Sequence, residues 1–456
     1  MLPRSGHRRA RPVPTVPREE PMPNYTEMAF GELTLAFTTS MEFRWNTEKT
    51  DSDHPASFYH PIPPAGFYAL GSVGIPYKSD DGNDGNAAAL CVRAAVGSGE
   101  PLAYPTGFTR IWQNKGMDSE YQCACWRPTA PSGYVALGHV MGSDHDTVPS
   151  TKSMVCVRKD LVHQADAGEF IYNTAGSHAN NKFSAWQVAC PEYEGDDTGL
   201  IAAFTFVGAA SRDAPTSDSA LWVLNLPFPS VTYASPALPT LTGYTDPSPD
   251  GSTTAVVDRK VYVPFTAVKD TEDIDNTGEK PTVGWQVANT PFYTVCRLAN
   301  YTEVIFYYND KSIEETSGEY TTTTGVTTEV SDSYSATVGI EVGVETGVSV
   351  GLETKVSAKL SLALGFSKTV GVSEFEEVSV TYTLTIPATT AAVLYVTTYT
   401  LQPYRDDGTP VGEGKVKSFN TNSFYSTQYP PATSSSAVTA QAVASEPAAE
   451  SEAVAV

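Results

Sequence analysis

The sequence predicts an all-β protein, and three observations carry the prediction. Composition is the first: the 456 residues include 34 Gly and 33 Pro with abundant Thr, Tyr and Val, and no long segment has clean helical periodicity. The second is an internal repeat in the amino-terminal half. The third is the stretch 336–372, which alternates between apolar and small or polar residues, so that one face of a strand is apolar and the other polar. A chain of this length is expected to hold two or three domains.

In chain order, residues 1–24 are basic and Pro-rich and lack the apolar core of a signal peptide, so they read as a disordered tail. A polybasic membrane contact is the lesser alternative. The expectation is a protein made without a leader, cytoplasmic or released by lysis or an unconventional route, with reduced thiols. Six cysteines are too few for a disulfide scaffold. Cys123 and Cys125 flank one alanine and share a strand face. The seven histidines form no pair at a recognised ligand spacing, so a metal site is not expected.

Placing Trp45 on Trp112, a shift of 67, aligns 29 residues without a gap. Ten are identical, among them Pro61/Pro128, Gly66/Gly133, Leu70/Leu137 and Gly71/Gly138. The copies return as LCVR at Leu90 and VCVR at Val155, and a fainter third copy reads from Trp186 to LWVLNL at Leu221. Stacked copies of one β unit suggest a pseudo-threefold β-prism-like domain over 25–235, with a β-sandwich as runner-up. The strings PSGYVALGHV and CVRKDLV resemble the vacuolar protein sorting-associated sixty-two domain family over roughly Phe43 to Ser230. That resemblance implies no defined biochemistry. The motif's Gly and Pro residues read as turns entering a strand, with Ala and Leu facing the core.

A variable acidic loop follows each motif: Asp80, Asp81, Asn83 and Asp84 in the first copy, Asp144, His145 and Asp146 in the second, Arg212, Asp213 and Asp218 in the third. Pseudo-symmetry brings the three to one end. Asp80, Asp81, Asp84, Asp144, Asp146 and Asp213 are the candidate receptor-binding residues, through hydrogen bonds to sugar hydroxyls. Ca²⁺ held by oxygen ligands is the lesser alternative, and solvated acidic turns are the competing structural reading. No cofactor is otherwise expected.

A Pro-, Gly- and Ser-dense linker near 234–252 separates the second domain, 236–430. Its alternating stretch exceeds the roughly ten residues of a soluble strand and reads as two strands and a turn. Each matches the roughly 9–11 tilted residues of a membrane-crossing β-strand. Val338, Ile340, Val342, Val344, Val348, Val350, Leu352, Val356, Leu360, Leu362 and Leu364 form the membrane-insertion face. Glu341, Glu345, Glu353, Lys355 and Lys359 form the lumen face. Pairing positions that sum to 700 places Glu341 opposite Lys359, Glu345 opposite Lys355 and Ile340 opposite Leu360, with an apolar tip at Val348, Val350 and Leu352. Cross-strand charge pairs of this kind contribute about 0.2–1 kcal/mol each. A lone hairpin leaves backbone groups unpaired in lipid, so copies must close into a barrel. The competing reading is a long hairpin over an ordinary core.

Thr/Ser-rich strands flank the stretch: GEYTTTTGVTTEVSDSYSAT before it and SVTYTLTIPATTAAVLYVTTYTL after it. In this order the segment resembles the pore-forming module of the aerolysin and epsilon-toxin superfamily, over roughly Thr240 to Pro430. The resemblance implies a soluble monomer that binds a surface, forms a homo-oligomeric ring and releases its hairpins into one β-barrel. The low-complexity residues 431–456 read as a second disordered tail, either inert or, as in some aerolysin-like toxins, removed on activation.

The formal net charge of −23 argues against nucleic acid as a partner. It also disfavours unaided binding to anionic lipid, so a glycan or other surface receptor on the target-cell membrane is expected. No run of eighteen apolar residues encodes a transmembrane helix. No esterase elbow, zincin helix, phosphate loop or dinucleotide fingerprint occurs, so an enzyme is not expected. The sequence-level function is a pore-forming toxin or defence protein. A non-lytic glycan-binding lectin or trafficking adaptor, with a β-rich oligomerisation stalk, is the alternative.

Overall fold

In the computed structural model the described residues are 26–76, 87–191, 198–215, 221–247, 253–268, 270, 273–274, 278–309, 314–324, 356–358, 378–411, 417–432 and 439–443. They form antiparallel sheets throughout, with one short α-helix among them, Val283–Asn289, capped where the Thr282 hydroxyl accepts from the Trp285 N–H at 3.1 Å. The chain is all-β, as expected.

The amino-terminal half is built on a pseudo-threefold axis. Met41–Asn46, Ser57–Pro61 and Val73–Ile75 form the first three-stranded sheet. Gly107–Gln113, Ala124–Thr129 and Val140–Gly142 form the second, and Asp166–Asn173, Ser184–Ala189 and Phe206–Ala209 the third. Where the three meet, backbone groups close a ring. The Ser72 N–H donates to the His139 carbonyl (2.8 Å), the His139 N–H to that of Phe206 (2.9 Å), and the Phe206 N–H to that of Ser72 (3.2 Å). Each copy's buried amide is satisfied only by another copy, which is the physical reason the unit comes in three.

Trp45, Trp112 and Tyr172 pack around the axis at centroid distances of 5.4, 5.9 and 6.3 Å. Their polar handles reach into neighbouring loops: the Trp45 indole N–H donates to Ser119 Oγ (3.0 Å) and that of Trp112 to the Asn181 carbonyl (3.1 Å). The third repeat therefore starts earlier than its sequence suggested. Tyr172, not Trp186, occupies the place of Trp45 and Trp112, while Trp186 lies one strand later. The Trp-to-Tyr exchange hides the start. Tyr172 also follows Trp112 by 60 residues whereas Phe206 follows His139 by 67, so extra chain lies between the second and third strands of this copy.

The shared motif glycines have a specific cause. A Cβ on Gly138 would overlap the Thr205 side chain, and one on Gly71 would lie 3.1 Å from the Gly138 Cα and the His139 carbonyl oxygen. They permit close approach at the axis rather than only a turn. Gly138→Ala is expected to cost about 1–3 kcal/mol by overpacking. Gly107→Ala, with nothing within 4 Å of its new methyl, should cost well under that. Urea unfolding of both variants checks the contrast, and equal costs would remove the close-approach explanation.

Three further sheets surround this centre: Glu27–Phe30, Leu33–Thr38, Ala89–Ala94 and Tyr68–Ala69; Tyr134–Val135, Cys156–Arg158 and Leu102–Ala103; and Val162–Gln164, Trp222–Leu226 and Gly199–Ile201. No disulfide joins any of the six cysteines, and burial pushes the Cys91 and Cys156 thiols up to about 12, so these two are inert packing groups.

The carboxy-terminal half holds a sheet ordered Ser230–Thr232, Val256–Pro264, Phe292–Tyr308, Ala391–Tyr404 and Lys417–Tyr429. A second sheet, Thr316–Thr324, Val378–Ile386 and Thr439–Val443, lies against it, with Leu384 and Ile386 packed on Ile305 and Ala392. The last strand corrects the expectation of a wholly disordered tail over 431–456. Thr439–Val443 places Ala440 and Ala442 opposite Leu384 and Tyr382, where small residues add to a sheet edge. The two halves share one core: Phe37 lies 4.9 Å from Phe265 and 5.6 Å from Phe292. A cut near 235 would expose this aromatic cluster.

Candidate functional site

The strands that precede the three acidic loops in the sequence, Val73–Ile75, Val140–Gly142 and Phe206–Ala209, hold equivalent places in their sheets. Asp80, Asp81 and Asp84 lie outside the described residues. In the second loop the carboxylates serve the loop itself. Asp144 Oδ1 accepts from the N–H groups of Asp146 (2.8 Å) and Thr147 (2.6 Å), and the Thr147 bonds hold its carboxyl below the usual range. Asp146 is paired with Arg110 at 3.0 Å and lies 3.8 Å from Lys115. His145 Nε2 sits 2.7 Å from Asn114 Oδ1, and partial burial lowers its pKa. In the third loop the Asp213 backbone carbonyl accepts from Ser184 (2.8 Å) and Ser211 (3.1 Å), while its side chain is exposed. Among the described residues no three His, Cys, Asp or Glu side chains converge as a metal site. The second loop is thus a braced turn, and Asp213 is the predicted recognition residue there that stands open.

The membrane-insertion and lumen residues lie outside the described residues, except Val356. Their anchor points are on view. Thr316–Thr324 and Val378–Ile386, which bracket the alternating stretch, pair directly from Thr316↔Ile386 to Thr324↔Val378. The chain therefore leaves this sheet and returns beside its own starting strand. Even-numbered Tyr382, Leu384 and Ile386 are buried against the other sheet, while Thr381, Thr383 and Thr385 are half-buried. The buried parity is the apolar parity of Val338 to Leu364. Paired positions here sum to 702, not 700. Two registers that differ by two residues keep the same side chains on the same face.

Inside the stretch, Val356–Ala358 forms a strand on the amino-terminal half. It extends the sheet of Val162–Gln164, Trp222–Leu226 and Gly199–Ile201, with Val356 opposite Ile201, Ser357 opposite Leu200 and Ala358 opposite Gly199. Sequence reasoning missed residues 199–201 as a docking edge, and nothing in their composition signals it. Among the described residues no helix is long and apolar enough to cross a membrane.

A repeat-built β-prism-like half joined to a long-stranded β half defines the class of protein. The family model described as vacuolar protein sorting-associated protein 62, Vps62, matches residues 5–238, and the chain belongs to that family. Comparison with curated proteins finds no match. Among solved structures, the crystal structure of GNIP1Aa from Chromobacterium piscinae is 21% identical with a TM-score of 0.35, covering 42% of this chain and 37% of that one. The chain thus spans little more than a third of GNIP1Aa. The crystal structure of Cry35Ab1 is 12% identical with a TM-score of 0.34, covering 89% of this chain and 91% of that one.

Proposed function

We propose that this protein is a β-barrel pore former that binds a cell surface, assembles into a homo-oligomeric ring and inserts one aerolysin-like hairpin per subunit. The observation that carries the reading is the bracket around the alternating stretch: two directly paired strands, the second of which buries Tyr382, Leu384 and Ile386, the same even parity as the stretch's apolar residues. In a barrel, the even-numbered face from Val338 to Leu364 meets lipid. Glu341, Glu345, Glu353, Lys355 and Lys359 line water, and neighbouring copies satisfy the strand edges. Recognition of a glycan or other receptor on the target membrane falls to the loop end of the amino-terminal half, with Asp213 and the first-copy acids as its contacts.

Dye release from liposomes made of target-cell lipid extract, alongside heat-labile, detergent-resistant oligomers on a gel, tests the reading. Binding without either outcome returns the protein to the lectin or adaptor alternative. The register has its own test. If the flanking ladder continues, Ile340→Cys/Leu362→Cys should oxidise readily and Ile340→Cys/Leu360→Cys poorly, because directly opposed residues lie about 4.5–5.5 Å apart and diagonal ones about 7–8 Å. The reverse result restores the register set by the Glu-Lys pairs.

A further inference from the structure

We infer that the cleft between the second and third repeats binds a monosaccharide-sized ring carrying an anionic group. The cleft encloses about 310 Å³, at the small end of ligand sites and suited to a single ring with its substituents. Its character departs from that of the chain. The protein carries 52 Asp and Glu against 29 Lys and Arg, yet no acidic residue lines this cleft, whereas Arg127 and Lys159 both do. Both are exposed, and neither has an ion-pair partner among the described residues. Tyr134 and Trp222, each half-buried, add aromatic surface to the wall, and Leu137 forms part of the apolar floor.

His139 completes the set. Its Nδ1 accepts from the Gly208 N–H at 2.9 Å, so in the neutral ring Nε2 carries the proton and is the donor left over. Burial lowers its pKa to about 3, and Arg127 adds to the effect, which keeps the ring neutral at any working pH. The site thus offers two cations for a carboxylate or phosphate, aromatic faces for a sugar ring and a neutral donor for a hydroxyl.

The pseudo-symmetry argues that this is a site and not a packing gap. The position of Arg127 is held by His60 in the first repeat and Gln187 in the third. His60 is buried and fastened between Ser72 Oγ and the Ser153 carbonyl, each at 3.0 Å, and Gln187 is also buried. Only the second copy places an exposed cation there. This proposal does not depend on pore formation, because the cleft lies in the amino-terminal half.

Isothermal titration of the full chain with glucuronate, glucose 6-phosphate, glucose and inorganic phosphate tests it. Glucuronate or glucose 6-phosphate should bind at least tenfold more tightly than glucose and than phosphate alone, and which acid wins identifies carboxylate or phosphate as the anchor. Arg127→Gln/Lys159→Gln, both surface changes, should weaken that binding at least tenfold with an unchanged melting temperature. Trp222→Phe, which retains an aromatic ring, should retain most of it. Equal binding of glucose, equal binding of phosphate alone, no binding of either acid at millimolar concentration, or an unaffected double variant each overturns the proposal.

Discussion

Leu200→Cys/Ser357→Cys, once oxidised, is expected to reduce dye release to the level of vesicles without protein, and reduction should restore it. The two residues are direct antiparallel partners. Partners of this kind have Cα atoms about 4.5–5.5 Å apart, inside the range of about 4.4–6.8 Å that a disulfide accepts without backbone movement. The bond would hold Val356–Ala358 on the edge of Gly199–Ile201. In the proposed pore Val356 belongs to the lipid face, so those backbone hydrogen bonds must break before insertion. The lock therefore acts on hairpin release and leaves cell binding intact. Leu200 is fully buried, so the Leu200→Cys and Ser357→Cys single variants are needed to separate the effect of the tether from that of a smaller core side chain. Full leakage from a protein shown by mass spectrometry to be oxidised would mean that this strand stays put, and the insertion reading would fail.

The pattern at 336–372 was legible because period two survives in composition: each polar position is a direct statement about a face. The flanking strand buries residues of the same even parity, Tyr382, Leu384 and Ile386. What charge patterning could not fix was the register, since Glu341 and Lys359 are plausible partners at 700 while the flanking ladder runs at 702. The repeat was legible in copies one and two, where Trp45 and Trp112 keep the same ring. It was misplaced in copy three, where Tyr172 does the same packing with a different residue. The ring through Ser72, His139 and Phe206 is made of backbone groups, which composition does not encode. The cleft was invisible for a related reason: Arg127, Lys159 and Trp222 are far apart in sequence, and the fold alone gathers them. The strand Thr439–Val443 was lost because Ala-rich chain reads as low complexity until a sheet edge is present to receive it.

The largest loss of stability is expected at Asp270. Its carboxylate receives two charge-assisted bonds from Arg405, Nε to Oδ2 and Nη2 to Oδ1, each at 2.7 Å. The Tyr293 hydroxyl donates a third at 2.7 Å, and Gln286 Nε2 in turn donates to the Tyr293 oxygen at 3.0 Å. Burial, together with the adjacent carboxylate, pushes the Tyr293 phenol well up, so it remains a donor at neutral pH. The Arg405 and Asp270 side chains are only 3% and 0% exposed, and the guanidinium lies 5.1 Å from the centroid of the Trp285 ring. Asp270→Asn removes the charge but not the volume, so a buried guanidinium loses the carboxylate that pairs with it. The expected cost is about 3–5 kcal/mol. Asp270→Leu/Arg405→Met, which removes both charges, should lose much less than either single change, because the uncompensated ion is then gone. Urea unfolding of Asp270→Leu, Arg405→Met and the double variant, beside Asp270→Asn, measures the coupling. If Asp270→Asn costs less than about 1 kcal/mol, solvent must reach the pair. The network joins the helix Val283–Asn289 to the end of Ala391–Tyr404, and Val283 and Tyr293 belong to the core shared by both halves. Loosening it should therefore free the amino-terminal half from the long-stranded sheet, so protease cleavage between the halves should accelerate in the single variant and return toward wild type in the double.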